Sequence, residues 1–220
     1  VQRVSLPGIA IQPLSRTDLT RAATLCARAM RDNPLHLAVF GGPDTRRQQR
    51  LQRLLAGLLG YILRKGDLLG AYRNGTLVGV LGLLPPGRCR PTWRDLPRLL
   101  PTLLTSNTPA GSLRTAIWLN TWRRHDPGTP HWHLGPLAVE PDWQGQYVGT
   151  RLMDYACNRA ADACLYLETD TPANVRFYQR FGFSVLATPV ILTTPSWLMV
   201  RPLSDQHPQP HGDHHEVFSQ

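Results

Sequence analysis

The stretch His131–Gly182 leaves this chain the least freedom. It reads HWHLGPLAVEPDWQGQYVGTRLMDYACNRAADACLYLETDTPANVRFYQRFG. An apolar strand ends near Val139, and Glu140-Pro141-Asp142 turns the chain. The polar, glycine-bearing loop Gln144–Gly149 then opens a helix in which Val148, Leu152, Ala156 and Ala160 recur at every fourth position. A helix start behind such a loop presents unpaired backbone N–H groups and the positive end of the helix dipole, which is a place for phosphate. The rest of the chain must supply whatever that phosphate is attached to. A second strand carries Leu167-Glu168-Thr169-Asp170, and a short helix follows with Thr171 as N-cap, Pro172 at its first position and Gly182 just past its end. Asn174 and Tyr178 are four apart and share one face of that helix.

Three motifs in this stretch carry a resemblance. They are Gln144-Gly145-Gln146-Tyr147-Val148-Gly149, then Asn174 and Tyr178, then Phe181-Gly182-Phe183. In this order they resemble the acyl-CoA-binding core of the GNAT superfamily of N-acyltransferases. The resemblance implies an α/β fold: a mixed, mostly antiparallel central sheet flanked by helices, its fourth and fifth strands splayed apart. It implies acetyl-CoA, or a longer acyl-CoA, as cofactor. The pantetheine arm would enter the gap between the splayed strands and pair with the backbone of Leu137, Ala138 and Val139. The pyrophosphate would sit on Gln144, Gly145, Gln146, Tyr147, Val148, Gly149 and Thr150, and Asn174 would hold the pantetheine arm. Read on its own, Pro136 removes an N–H from the first strand, which suits either a sheet edge or such a parted pair.

Tyr147 departs from the pattern, since it stands where the family usually has its first motif glycine. With a positive φ a bulky residue there carries about 1–3 kcal/mol of strain, and with a negative φ its ring points outward at no cost. The substitution is either tolerated or reshapes coenzyme binding.

Moving an acyl group from a thioester to an amine needs a base for the ammonium, donors for the oxyanion and an acid for the leaving thiolate. A tyrosine, with a pKa of about 10, is protonated at pH 7 and can donate to a thiolate whose own pKa is about 8.5. The resemblance makes Tyr178 that acid. Glu168, acting through a water, is the candidate base, while His131 and His133 alternate onto one face of the neighbouring strand. None of the cysteines Cys26, Cys89, Cys157 and Cys164 sits in a nucleophile context, so direct attack in a ternary complex is expected. Nor do they show CxxC or other metal spacing, and no metal centre is expected.

The remaining sequence reads as one domain over residues 1–203. Gly8–Leu14 alternates as a strand, and Thr17–Arg31 is an amphipathic helix that stops at Asp32-Asn33-Pro34. Asn33–Phe40 resembles the loop that forms part of the acceptor pocket in the superfamily, which makes His36 and Phe40, with His133, substrate-binding candidates. A helix over Thr45–Arg64 has a basic face of Arg46, Arg47, Arg50 and Arg53, read as solvated. Asp67–Leu84 is a hairpin turning on Asn74-Gly75. Residues 88–130 hold helical patches at Leu96–Leu104 and Leu113–Trp122, an insertion or lid. Ser184–Leu192 and Trp197–Val200 close the sheet, and 204–220 is a polar, histidine-rich tail read as disordered.

The chain's net charge of +9 comes almost entirely from arginine, Lys65 being the single lysine. A charge of this sign could favour an anionic ligand, nucleic acid or a membrane surface. Because no aromatic-interleaved basic motif is seen, it is read as Arg-rich composition and nucleic acid is not expected, while a phosphate-bearing cofactor suits it. No run of 18 apolar residues or signal-peptide pattern is present, and the thiols read as reduced, so a cytoplasmic enzyme is expected. The function expected is N-acetyltransfer to the primary amine of a small molecule or peptide. The Leu-rich 96–122 region motivates an alternative, fatty-acyl transfer from acyl-CoA or an acyl carrier protein. A degenerate member that binds acyl-CoA without turnover is a further alternative, and a homodimer is left open.

Overall fold

A computed structural model describes residues 8–203; the tail 204–220 lies outside the described residues. The strands in chain order are β1 (Ile9–Pro13), β2 (Asp67–Arg73), β3 (Thr76–Leu84), β4 (Trp132–Val139), β5 (Leu165–Thr169), β6 (Ser184–Ala187), β7 (Val190–Ile191), β8 (Thr194–Pro195) and β9 (Trp197–Arg201). Seven of them form one sheet in the order β1-β2-β3-β4-β5-β9-β6, and β7 and β8 form a small hairpin of their own. Every pairing in the large sheet is antiparallel except β4 with β5. The helices are α1 (Leu19–Met30), α2 (Pro34–Phe40), α3 (Asp44–Lys65), α4 (Leu96–Thr105), α5 (Pro109–His125), α6 (Val148–Arg159) and α7 (Pro172–Gln179).

The sheet is buried on both faces, because β2 and β3 are apolar almost throughout. On one face α1, α2 and α3 cover Leu68, Leu77, Val80 and Ala138, and Trp118 of α5 joins them. On the other, α6 and α7 cover Leu81, Leu83, Leu134 and Leu167. The four-residue repeat of α6 is the stripe that does this: Val148, Leu152, Ala156 and Ala160 are all buried there. Asn74 and Gly75 both take positive φ, as the expected hairpin turn requires.

The centre of the sheet is irregular in one place. Between its pairings with Leu81 and Leu83, β4 runs from Leu137 back to Leu134, so Gly135 and Pro136 form a bulge. The Gly135 carbonyl lies so close to Gly82 that a Cβ there would sit 2.5 Å from its oxygen, which is why β3 carries glycine at that point. Beyond the bulge β4 has no partner on its β5 side among the described residues: the two strands pair only at Trp132–Leu165 and His133–Tyr166 and then part. Pro136 therefore gives up an N–H where no ladder exists to need it.

Several expectations shift. Asn33–Phe40 is a helix with Pro34 at its first position, not a loop. The solvated basic face fails at Arg47, which is 5% exposed; its guanidinium donates to Asp32, Asp44 and the carbonyls of Arg31 and Gly42. Arg50 donates to the Phe40 carbonyl. Helix α7 ends at Gln179 with Arg180 as its cap, and Gly182 stands two residues further on at φ 83°. Ser184–Leu192 is two strands, β6 and β7, rather than one. Residues 88–130 hold a pair of helices, α4 and α5. No residue of α4 is buried, whereas α5 buries Thr115 and Trp118. Among the described residues no helix is long and apolar enough to cross a membrane.

Candidate active site

The start of α6 lies between the end of β4 and α7, beside the parted strands. The first backbone hydrogen bond of α6 runs from Arg151 N to the Tyr147 carbonyl at 3.0 Å, so the amides of Gly145 to Thr150 have no backbone acceptor among the described residues. Gln144 differs from the expectation in this respect: its own N–H is spent on the Pro141 carbonyl at 3.2 Å, and its side chain donates to the Val139 carbonyl at 3.2 Å. Gly149 lies between the end of β4 and α7, where a Cβ would stand 3.5 Å from Phe177 and 3.7 Å from Val139. Gly145 has φ 74° and Tyr147 φ 62°, both in the left-handed region. Glycine takes this conformation freely and tyrosine does not. The Tyr147 ring is 60% exposed and makes no core contact that would offset the cost.

Leu137, Ala138 and Val139 follow the bulge and pair with Leu81, Val80 and Gly79 of β3, leaving their other edge to the gap. Across it, Asn174 donates to Thr169 Oγ1 at 3.2 Å, which fixes the start of α7 to the end of β5. Tyr178 is buried against Phe177 and Phe183, and burial pushes its phenol pKa up, so the proton stays on.

The sheet's opposite face carries a polar cluster. His133 Nε2 donates to Glu168 Oε2 at 2.9 Å, and the Glu168 side chain is almost wholly buried. Burial alone would lower the His133 pKa, but the Glu168 carboxylate and Cys89 overcome it and raise it to about 10. Burial likewise would raise the Cys89 thiol, yet hydrogen bonding to His131 and His133 brings it down to about 7. Donor atoms of Cys89, His131 and His133 all lie within 4.8 Å of one another. The Tyr166 hydroxyl is buried beneath both histidine rings without a hydrogen-bond partner among the described residues, and burial pushes its pKa up. Sequence spacing hides this cluster, since Cys89 meets His131 from 42 positions away. Only the alternation of His131 and His133 hinted at it.

His36 and Phe40 lie on α2 with ring centroids 6.1 Å apart, and His36 meets Trp118 edge-on at 5.4 Å. The ring donates Nδ1–H to the Met30 carbonyl at 2.7 Å, and burial lowers its pKa against the pull of Asp170. Asp170, one pleat beyond Glu168, accepts the Leu35 N–H at 2.6 Å and ties α2 to the end of β5. Trp118 and Asp170, which the sequence did not single out, thus contact α2 at His36 and Leu35.

Residues 36–183 match the model of the acetyltransferase (GNAT) family, and the chain belongs to that family. Among solved structures, it is similar to the histone acetyltransferase HPA2 and related acetyltransferase of Corynebacterium glutamicum. The TM-score is 0.69 at 22% identity, over 90% of this chain and 97% of that one. It is also similar to the polyamine N-acetyltransferase of Drosophila melanogaster, which catalyses the formation of N-acetylagmatine (TM-score 0.54, 17% identity, 89% and 100% covered). A third is the PaiA N-acetyltransferase of Thermoplasma acidophilum, solved in complex with coenzyme A (TM-score 0.54, 16% identity, 88% and 98% covered). These likenesses establish the shared fold.

Proposed function

We propose that this protein is an N-acetyltransferase that moves an acetyl group from acetyl-CoA to a primary amine by direct attack in a ternary complex. The observation that carries this reading is the unpaired edge of β4 running from the parting at His133 to the free amides of Gly145–Thr150. The pyrophosphate sits on those amides, and the pantetheine arm pairs with Leu137, Ala138 and Val139 and is steadied by Asn174. Glu168, with Oε2 held by His133, takes the ammonium proton through Oε1 by way of a water. The freed amine attacks the thioester carbonyl, and the tetrahedral intermediate collapses with cleavage of the C–S bond. The coenzyme A thiolate takes the proton of the buried Tyr178 hydroxyl, and the second proton of the acylated nitrogen returns to the phenolate.

His36, Phe40 and Trp118 form the acceptor wall beside two buried carboxylates, Glu168 and Asp170. That combination favours a small cationic amine, and the Drosophila relative's product makes agmatine and polyamines the first acceptors to assay. Isothermal titration should detect coenzyme A, and a thiol-release assay should detect turnover; no binding at millimolar acetyl-CoA rejects the reading. Tyr178→Phe is expected to lower kcat by about 10²–10⁴-fold with KM for acetyl-CoA little changed.

One observation favours longer chains as a second reading. Leu96, Leu100, Leu104, Leu113 and Ile117 are exposed on α4 and α5, a surface suited to an acyl chain or a carrier protein. A series of acyl-CoA chain lengths separates the two, since a strict two-carbon preference removes the second.

A further inference from the structure

The buried cluster at the start of β4 has a geometry that a proton-transfer role leaves unexplained. His131 is 5% exposed, and its Nδ1–H is spent on the Thr129 carbonyl at 2.8 Å, so Nε2 is the nitrogen left to act. Nε2 lies 3.1 Å from Asp126 Oδ1 but off the line of a hydrogen bond, and both atoms are buried without a hydrogen-bond partner among the described residues. The other Asp126 oxygen is held by Arg90 Nε at 2.7 Å. His133 repeats the pattern, its Nε2–H fixed on Glu168 and its Nδ1 left over. Each imidazole is thus oriented by an acceptor on its far nitrogen, and the carboxylate is oriented by an arginine. This is the arrangement that outer-shell partners impose on the ligands of a metal.

The distances agree. Two nitrogen or oxygen ligands at about 2.0–2.1 Å from a tetrahedral ion stand about 3.3 Å apart, and sulfur with nitrogen about 3.6 Å. Donor atoms of Cys89, His131 and His133, within 4.8 Å of one another, need to close by only about an ångström.

We infer that Cys89, His131 and His133 bind a divalent ion of the zinc class, with Asp126 standing beside His131 outside the ligand set. Thiolate and imidazole donors select such an ion over magnesium or calcium. Three protein ligands leave the fourth position to a water. The ion would tie the approach to α4 to the sheet, because Cys89 precedes α4 and both histidines belong to or abut β4.

The test uses the full chain stripped of metal and titrated with Zn²⁺ against a chromophoric chelator, with Co²⁺ in a parallel series. Wild type should bind one equivalent, show a thiolate-to-cobalt charge-transfer band, and gain at least about 4 °C in Tm with zinc. Cys89→Ser should lose the band and weaken zinc by at least about tenfold, while its circular dichroism stays that of the wild type. His131→Gln should weaken zinc as well. A variant with His207, His211, His214 and His215 replaced by alanine should keep the full stoichiometry. Binding that disappears with those tail histidines, or that Cys89→Ser leaves unchanged, overturns the assignment. None of these readouts involves acetyl transfer, so the outcome is independent of the proposed activity.

Discussion

Tyr147 shows what a single residue can conceal. The sequence marks it as out of pattern, but whether that matters depends on φ, which no spacing reveals. At φ 62° with an exposed ring, the side chain contributes strain and little packing. Tyr147→Gly is expected to raise stability by about 1 kcal/mol in a denaturant titration. The loop amides keep their positions, so coenzyme A affinity should change by less than about tenfold in calorimetry. As candidates, Tyr178 and Glu168 were legible because each sits in a local motif. The meeting of Cys89 with His131 was not, because it is made by the β3–β4 pairing and the return of the insertion, both long-range events.

At the scale of elements, periodicity served where one face is buried and one is wet. It placed α6, the Asn74-Gly75 hairpin and the α5 patch. It misread α3, where an arginine on the apparent solvent face turns inward to close the corner between α1, α2 and α3. Carbonyls are indifferent to sequence, so nothing in the pattern announces that they need a donor there. Arg47→Met should cost about 1–3 kcal/mol by thermal melting, because the Arg31 and Gly42 carbonyls lose their partner. Arg46→Ala, at an exposed position, should stay within about 0.5 kcal/mol. The hydrogen bond from Arg47 holds the Asp32 carboxyl below its usual range. A lowered folded-state pKa gives stability that is present above about pH 4 and lost as the carboxylate protonates on acidification. Asp32→Asn should therefore melt below wild type at pH 7 and converge with it near the bottom of the acid range.

Across the whole molecule, the fold class and the splayed pair were expected, and the sheet order bears them out. The parting could be anticipated from Pro136, but its extent depends on where β5 leaves β4, which only the assembled sheet fixes. Hydrogen exchange with coenzyme A present should slow at Leu137–Val139 and Gly145–Thr150 and leave β1 and β2 unchanged; uniform protection would contradict the proposed seat of the cofactor. The same parting has a kinetic consequence. Phe177, Tyr178 and the packed stripe of α6 belong to one face of the sheet, while Phe40 and Trp118 belong to the other. Donor and acceptor would thus arrive from opposite sides of a wall and meet only through the slit in it. Neither has to wait for the other to enter or leave, so initial-rate plots should intersect, and a single compound joining both substrates would have to be threaded through the sheet rather than laid upon it.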